Sequence, residues 1–145
     1  MKKKILIPIV IVLVLLLGAG VGILLYRATN ANSAIGNTYH TETVTATGTD
    51  MYNQYMFTVG LSSAENYFRE VYIGASVELK KDGTFTFKRQ YTTLTGTYEI
   101  KNNQIRLQYK ESPMQTDPTV FTFKNGKLHF DYSDEEKSVS LVMQQ

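Results

Sequence analysis

Acid–base and nucleophilic chemistry have little to draw on in this chain, which holds two histidines, His40 and His129, and no cysteine. Nucleophilic catalysis needs Ser, Cys or Thr beside a base that a third group orients. His129 falls on the polar side of the alternating run "KLHFDY", and His40 lies at the mouth of another such run, so both read as surface residues. No nucleophile elbow, phosphate loop or zinc-protease helix is present. Two histidines about ninety residues apart make no metal site without carboxylates to help. The acidic run "DYSDEE" (Asp131, Asp134, Glu135, Glu136) lacks the glycine and ligand spacing of a calcium loop and reads as a solvated turn. The expectation is a chain that is not an enzyme, with no catalytic residue, no metal and no cofactor.

The cations are more informative. "KRQY" sets Lys88 and Arg89 beside Tyr91. Stacking on single-stranded nucleic acid needs many such pairs on one surface. Contact with acidic wall polymers or lipid headgroups needs fewer. Lys2, Lys3, Lys4 and Arg27 flank an apolar segment; without these four, eleven basic residues face thirteen acidic ones, a net of −2. That balance lacks the footprint of a nucleic-acid binder. Arg89 continues the alternation that places Phe85 and Phe87 inward, and a buried arginine needs a partner. Three solutions stay open: an internal carboxylate, an anionic ligand, or a bulge that carries Arg89 past the interior. With Arg89, the residues Phe85, Phe87, Tyr98, Tyr109, Phe121 and Phe130 form the candidate ligand-binding interior.

Those residues sit on runs of period two. "SVELK" pairs Val77 with Leu79, and "TFTFKRQY" pairs Phe85 with Phe87 and extends toward Tyr91. "GTYEI" carries Tyr98 and Ile100, and "QIRLQY" carries Ile105, Leu107 and Tyr109. "TVFTFK", "KLHFDY" and "SVSLVM" present Phe121 and Phe123, then Leu128, Phe130 and Tyr132, then Val139, Leu141 and Met143. Asp82-Gly83 and Asn125-Gly126 are hairpin signals, because both pairs tolerate positive φ. "NTYHTETVTA" is an eighth strand, rich in Thr and Val. Eight antiparallel strands joined by tight turns predict an up-and-down barrel, closed or nearly so. A barrel of that size is filled by its own side chains or holds one small ligand. Between the first strand and the rest, about 50–70, the alternation stops. Asp50 and the "SSAE" capping spacing predict one or two short helices there, although "YFREVYIG" also reads as the start of the next strand.

The N-terminus has another character. Ile5 to Tyr26 is 22 residues without a charge, long enough at 1.5 Å per residue to cross a hydrocarbon core of about 30 Å. It exceeds the 7–15 residues of a signal-peptide core. Three lysines before it and one arginine after it predict a cytoplasmic N-terminus and an outer C-terminal domain. The expected organisation is a stub and transmembrane anchor at 1–26, a small polar linker at 27–37, and an extracytoplasmic barrel at 38–145. The lack of cysteine excludes disulfide staples and a lipid-acylated thiol, and leans toward a bacterial surface.

"LKKDGTFTF", "GTYEIKNNQIRLQ" and "FTFKNGKLHF" resemble the repeated hairpins of small bacterial lipocalin-like (calycin-type) domains that follow a membrane anchor, mostly in Gram-positive organisms. The resemblance spans about Gly36 to Met143 and implies the barrel fold outside the membrane, with no activity attached. "GNTY" at Gly36 stands where lipocalins carry Gly-x-Trp, and the chain has no tryptophan, so no binding residue carries over. The functional expectation is a non-catalytic, envelope-associated module of the cell membrane. It binds the bilayer through Ile5 to Tyr26, and a small apolar ligand or an envelope protein through the barrel. The alternative is a structural subunit of a membrane complex with no ligand.

Overall fold

The alternation drives the architecture. In each strand the large apolar residues turn to one side and Thr, Lys and Gln to the other, which suits a sheet wetted on one face. The computed structural model describes residues 3–48, 64–113, 117–135 and 137–145, with side chains of 3–10, 28, 48, 64–67 and 137 left out. After helix α1 (Lys3–Thr29) and a 3-10 turn (Ala31–Ala34) come β1 (Thr38–Gly48), helix α2 (Ala64–Tyr72), β2 (Ser76–Leu79) and β3 (Thr84–Lys88). Then follow β4 (Thr93–Lys101), β5 (Gln104–Tyr109), β6 (Val120–Lys124), β7 (Lys127–Ser133) and β8 (Lys137–Gln144). Each strand pairs antiparallel with its neighbour in sequence, and β1 pairs with β8, so the eight form a closed barrel. Closure leaves no free edge.

The turns obey their residues. Asn125 (φ 53°) and Gly126 (φ 74°) form the two positive-φ positions of a two-residue hairpin between β6 and β7. At the β2–β3 turn only Gly83 (φ 82°) is left-handed. There the Asp82 carboxylate accepts from the Thr84 amide at 2.9 Å and its hydroxyl at 2.6 Å. These bonds hold the Asp82 carboxyl below its ordinary pKa.

Gly96 is required for a different reason. It faces Phe85 on β3 and Tyr109 on β5. A Cβ there would overlap the Gln108 carbonyl oxygen and strike the Phe85 ring at 2.8 Å. The gap lets the Phe85 and Tyr109 rings meet edge to face at 5.1 Å.

The barrel has two unlike ends. At one, the turns β2–β3, β4–β5 and β6–β7 gather around the 3-10 turn, whose Ala31 and Ala34 are fully buried. The Gly36 amide donates to Leu79 O at 2.6 Å, and the Leu79 amide to Asn37 O at 3.0 Å. Residues 30–37, read from sequence as part of a linker, are therefore folded into the base of the barrel. At the other end lie α2 and the β3–β4, β5–β6 and β7–β8 connections. The expected helix at 50–70 is present as α2, which extends to Tyr72, so the alternative reading of "YFREVYIG" as strand does not hold; residues 49–63 lie outside the described set. Ile73 N donates to Arg69 O, and Gly74 (φ 71°) ends the helix.

Among the described residues, no helix is long and apolar enough to cross a membrane. The span expected from sequence at Ile5 to Tyr26 falls on α1, whose side chains are described over 11–27. From Ile11 to Leu25 its large apolar side chains are exposed, and Leu24 and Arg27 near its C-terminal end line a cavity with the barrel's Tyr39 and Phe123.

Candidate functional site

The α2 end holds the one buried acidic residue among those described, Asp117. The site is built from three connections. β3 ends at Lys88, so Arg89 enters the β3–β4 loop, where its amide donates to Thr92 O at 2.8 Å. Its guanidinium turns in, and Nη1 donates to Asp117 Oδ1 at 2.5 Å. The side chains are 8% and 0% exposed. Of the three solutions left open for Arg89, the internal carboxylate is the one realised.

α2 supplies the roof. Phe68 and Tyr72, four residues apart, project from one face of the helix into the barrel. Phe68 stacks on Tyr72 at 6.3 Å, and Tyr72 stacks on Phe87 at 6.2 Å. The Tyr72 hydroxyl donates to Asp117 Oδ1 at 3.0 Å. The Gln90 amide reaches Val71 O at 3.4 Å, so the β3–β4 loop also holds the helix. From the β5–β6 connection, Pro118 O accepts the Tyr109 hydroxyl at 2.5 Å. Burial, and next the charge of Asp117, push the Tyr109 phenol far above its ordinary value, with Arg89 opposing. The Arg89 Nε is buried and has no hydrogen-bond partner among the described residues.

The interior residues expected from sequence divide. Arg89 and Tyr109 lie by Asp117, Phe87 reaches it through Tyr72, and Phe85 joins them through Tyr109. Phe121 and Phe130 meet each other at 6.3 Å. Tyr98 lies toward the opposite end, half-buried, its hydroxyl donating to Lys80 O at 2.6 Å. Phe85, Phe87 and Phe121 are at most 1% exposed, and Phe130 is 6% exposed. A residue lining a void large enough for water would show accessible surface to it, so these rings pack against protein. The larger cavities delimited by described residues lie outside the barrel or beneath its base. One of about 570 Å³ sits where Leu24 and Arg27 meet Tyr39 and Phe123, one of about 480 Å³ lies where Tyr26 and Thr29 meet Asn102 and Asn103, and one of about 430 Å³ runs over the outer face at Gly96.

Sequence reasoning missed Asp117, Phe68 and Tyr72. The inward arginine announced the need for a carboxylate, but Asp117 lies 28 residues away in a connection without periodicity. His40 is exposed and His129 half-exposed on the outer face. Among the described residues no group of three or more His, Cys, Asp or Glu could hold a metal ion. "KRQY" splits, with Arg89 inside and Tyr91 77% exposed.

No protein-family model matches the chain, and no curated protein does. Among solved structures, a DUF4847 family protein from Bacteroides vulgatus ATCC 8482 is similar at 13% identity and a TM-score of 0.40, over 73% of this chain and 91% of that one. That likeness is too slight to carry an argument.

Proposed function

We propose that the chain is a single-pass membrane protein, N-terminus in the cytoplasm, that holds a non-catalytic, lipocalin-like barrel outside the membrane and works by contact with another envelope protein. The filled interior carries the choice between a carried ligand and a partner. A small apolar ligand would have to displace Phe85, Phe87, Phe121 or Phe130, each worth about 1.5–3 kcal/mol of burial. Contact on the outside asks for no such displacement. Two of the exposed large apolar residues of the barrel domain, Ile73 and Tyr91, lie at the α2 end, on segments joined by the Gln90–Val71 hydrogen bond. The uncharged run Ile5 to Tyr26 and the lysines before it support the anchor and its orientation.

The test is a photo-crosslinking residue at Tyr91 in the full chain, in cells. One dominant protein adduct is expected. A featureless profile overturns the partner reading in favour of a ligand-free structural subunit, and lipid adducts alone would return the ligand reading. A reporter fused after Gln145 that is active in the cytoplasm overturns the orientation.

A further inference from the structure

We propose that the base of the barrel is an electrostatic docking surface for the anionic lipid headgroups of the bilayer that holds α1, an inference that rests on the anchor reading above. The segments that meet at this end are 27–37 and the turns 80–83, 101–104 and 124–127. They carry Arg27, Lys80, Lys81, Lys101, Lys124 and Lys127, and a single acidic side chain, Asp82. Lys127 is engaged by Glu42 at 2.6 Å. Arg27, Lys81, Lys101 and Lys124 are exposed. Around the opposite end, the described connections carry Arg69, Arg89 and Lys110 against Glu70, Glu111, Asp117, Asp134 and Glu135. The barrel is thus positive toward α1 and negative away from it, though the domain as a whole is slightly acidic.

This polarity follows from topology. In an up-and-down barrel alternate turns share an end, and here the β2–β3, β4–β5 and β6–β7 hairpins fall on the side where α1 enters. Each carries lysine beside its turn residues, so charges far apart in sequence form one ring. The ring is also held close to α1. Asn30 N donates to Tyr26 O at 3.0 Å, and the Ser33 hydroxyl donates to Arg27 O at 2.7 Å. Asn30 alone separates α1 from the buried 3-10 turn. From Tyr26, the last residue of the uncharged run, to Thr29 is roughly 5 Å of helical rise. Asn102 and Asn103 share a cavity wall with Tyr26 and Thr29, and Gly126 shares one with Leu24 and Arg27, so the lysines beside these turns lie close to the end of the uncharged run, where a surface potential reaches about one Debye length, ~8–10 Å at ordinary salt. Basic residues so placed are attracted individually to anionic lipid, and each one lost weakens the attraction about fivefold.

The absence of cysteine makes the test clean. The full chain carrying Asn103→Cys at the base, or Ser133→Cys at the far end, is labelled with one fluorophore. It is reconstituted into vesicles of phosphatidylcholine alone, or of phosphatidylcholine with about one-third phosphatidylglycerol, each with a headgroup-borne quencher. Quenching of the Asn103 label should rise with phosphatidylglycerol and fall with added salt. It should lose its lipid dependence in the Lys81→Glu, Lys101→Glu, Lys124→Glu triple variant, while the Ser133 label stays unchanged throughout. An unaltered unfolding midpoint for that variant assigns the loss to charge. Equal quenching in both vesicles, or an indifferent triple variant, overturns the inference and leaves the anchor standing. A chain that fails to float with either vesicle overturns the anchor, and this inference with it.

Discussion

The two ends of the barrel are closed by opposite means. The base is closed by short hairpins and a 3-10 turn, local turns joined to one another by backbone hydrogen bonds such as Gly36 N to Leu79 O. The far end is closed by α2 and by a buried ion pair whose partners lie 28 residues apart. Local closure asks little of any one side chain. Closure by a buried pair makes each partner depend on the other, because removing one leaves an uncompensated charge in a dry interior.

The largest test of that contrast is Arg89→Ala, which takes from buried Asp117 its cationic partner. A loss of about 3–5 kcal/mol in denaturant unfolding is expected. Replacing both partners, Arg89→Met with Asp117→Leu, should recover most of it, since matched apolar groups replace a buried pair at little cost. A double variant as weak as the single one would mean that the pair does more than neutralise itself.

Alkali should act next, and at the same end. The Tyr109 phenol is held above its ordinary value of 10.0 in the folded chain, so folding favours the neutral form. The stability this confers is complete below about pH 10 and is lost as pH rises beyond it, because the unfolded chain ionises first. Tyr109→Phe should flatten the fall in unfolding free energy between about pH 10 and 12. An unchanged slope would move the effect to Tyr39 and Tyr98, which burial also raises.

The base should yield the smallest change. Gly126→Ala meets no atom within 4 Å but keeps φ near +74°, so the cost is conformational only, about 1–2 kcal/mol. A loss as large as that of Arg89→Ala would remove the distinction between the ends.

The same contrast explains what could be read in advance. The strands, their inward faces and two of the hairpins were legible because alternation and turn chemistry are local. Val77, Leu79, Phe121 and Leu141 are buried as the period required. Leu94 escaped notice, since β4 begins earlier than "GTYEI" suggests, and the need for glycine at Gly96 is explained only by the neighbouring strands. The Arg89–Asp117–Tyr72 cluster escaped for a deeper reason. Its members come from a helix and two loops far apart in sequence, and only closure of the barrel brings them together.

The junction at Asn30 has a mechanical consequence. With one residue between α1 and the 3-10 turn, and hydrogen bonds across it, helix and barrel turn as one lever. The eight residues of β8 reach about 25 Å at roughly 3.3 Å each. In the membrane arrangement proposed above, a lean of α1 by about 20°, ordinary for a membrane helix, would swing the α2 end sideways by roughly 9 Å. Lipid thickness or a neighbouring helix could thus steer the outer face of this molecule without altering a single contact inside it.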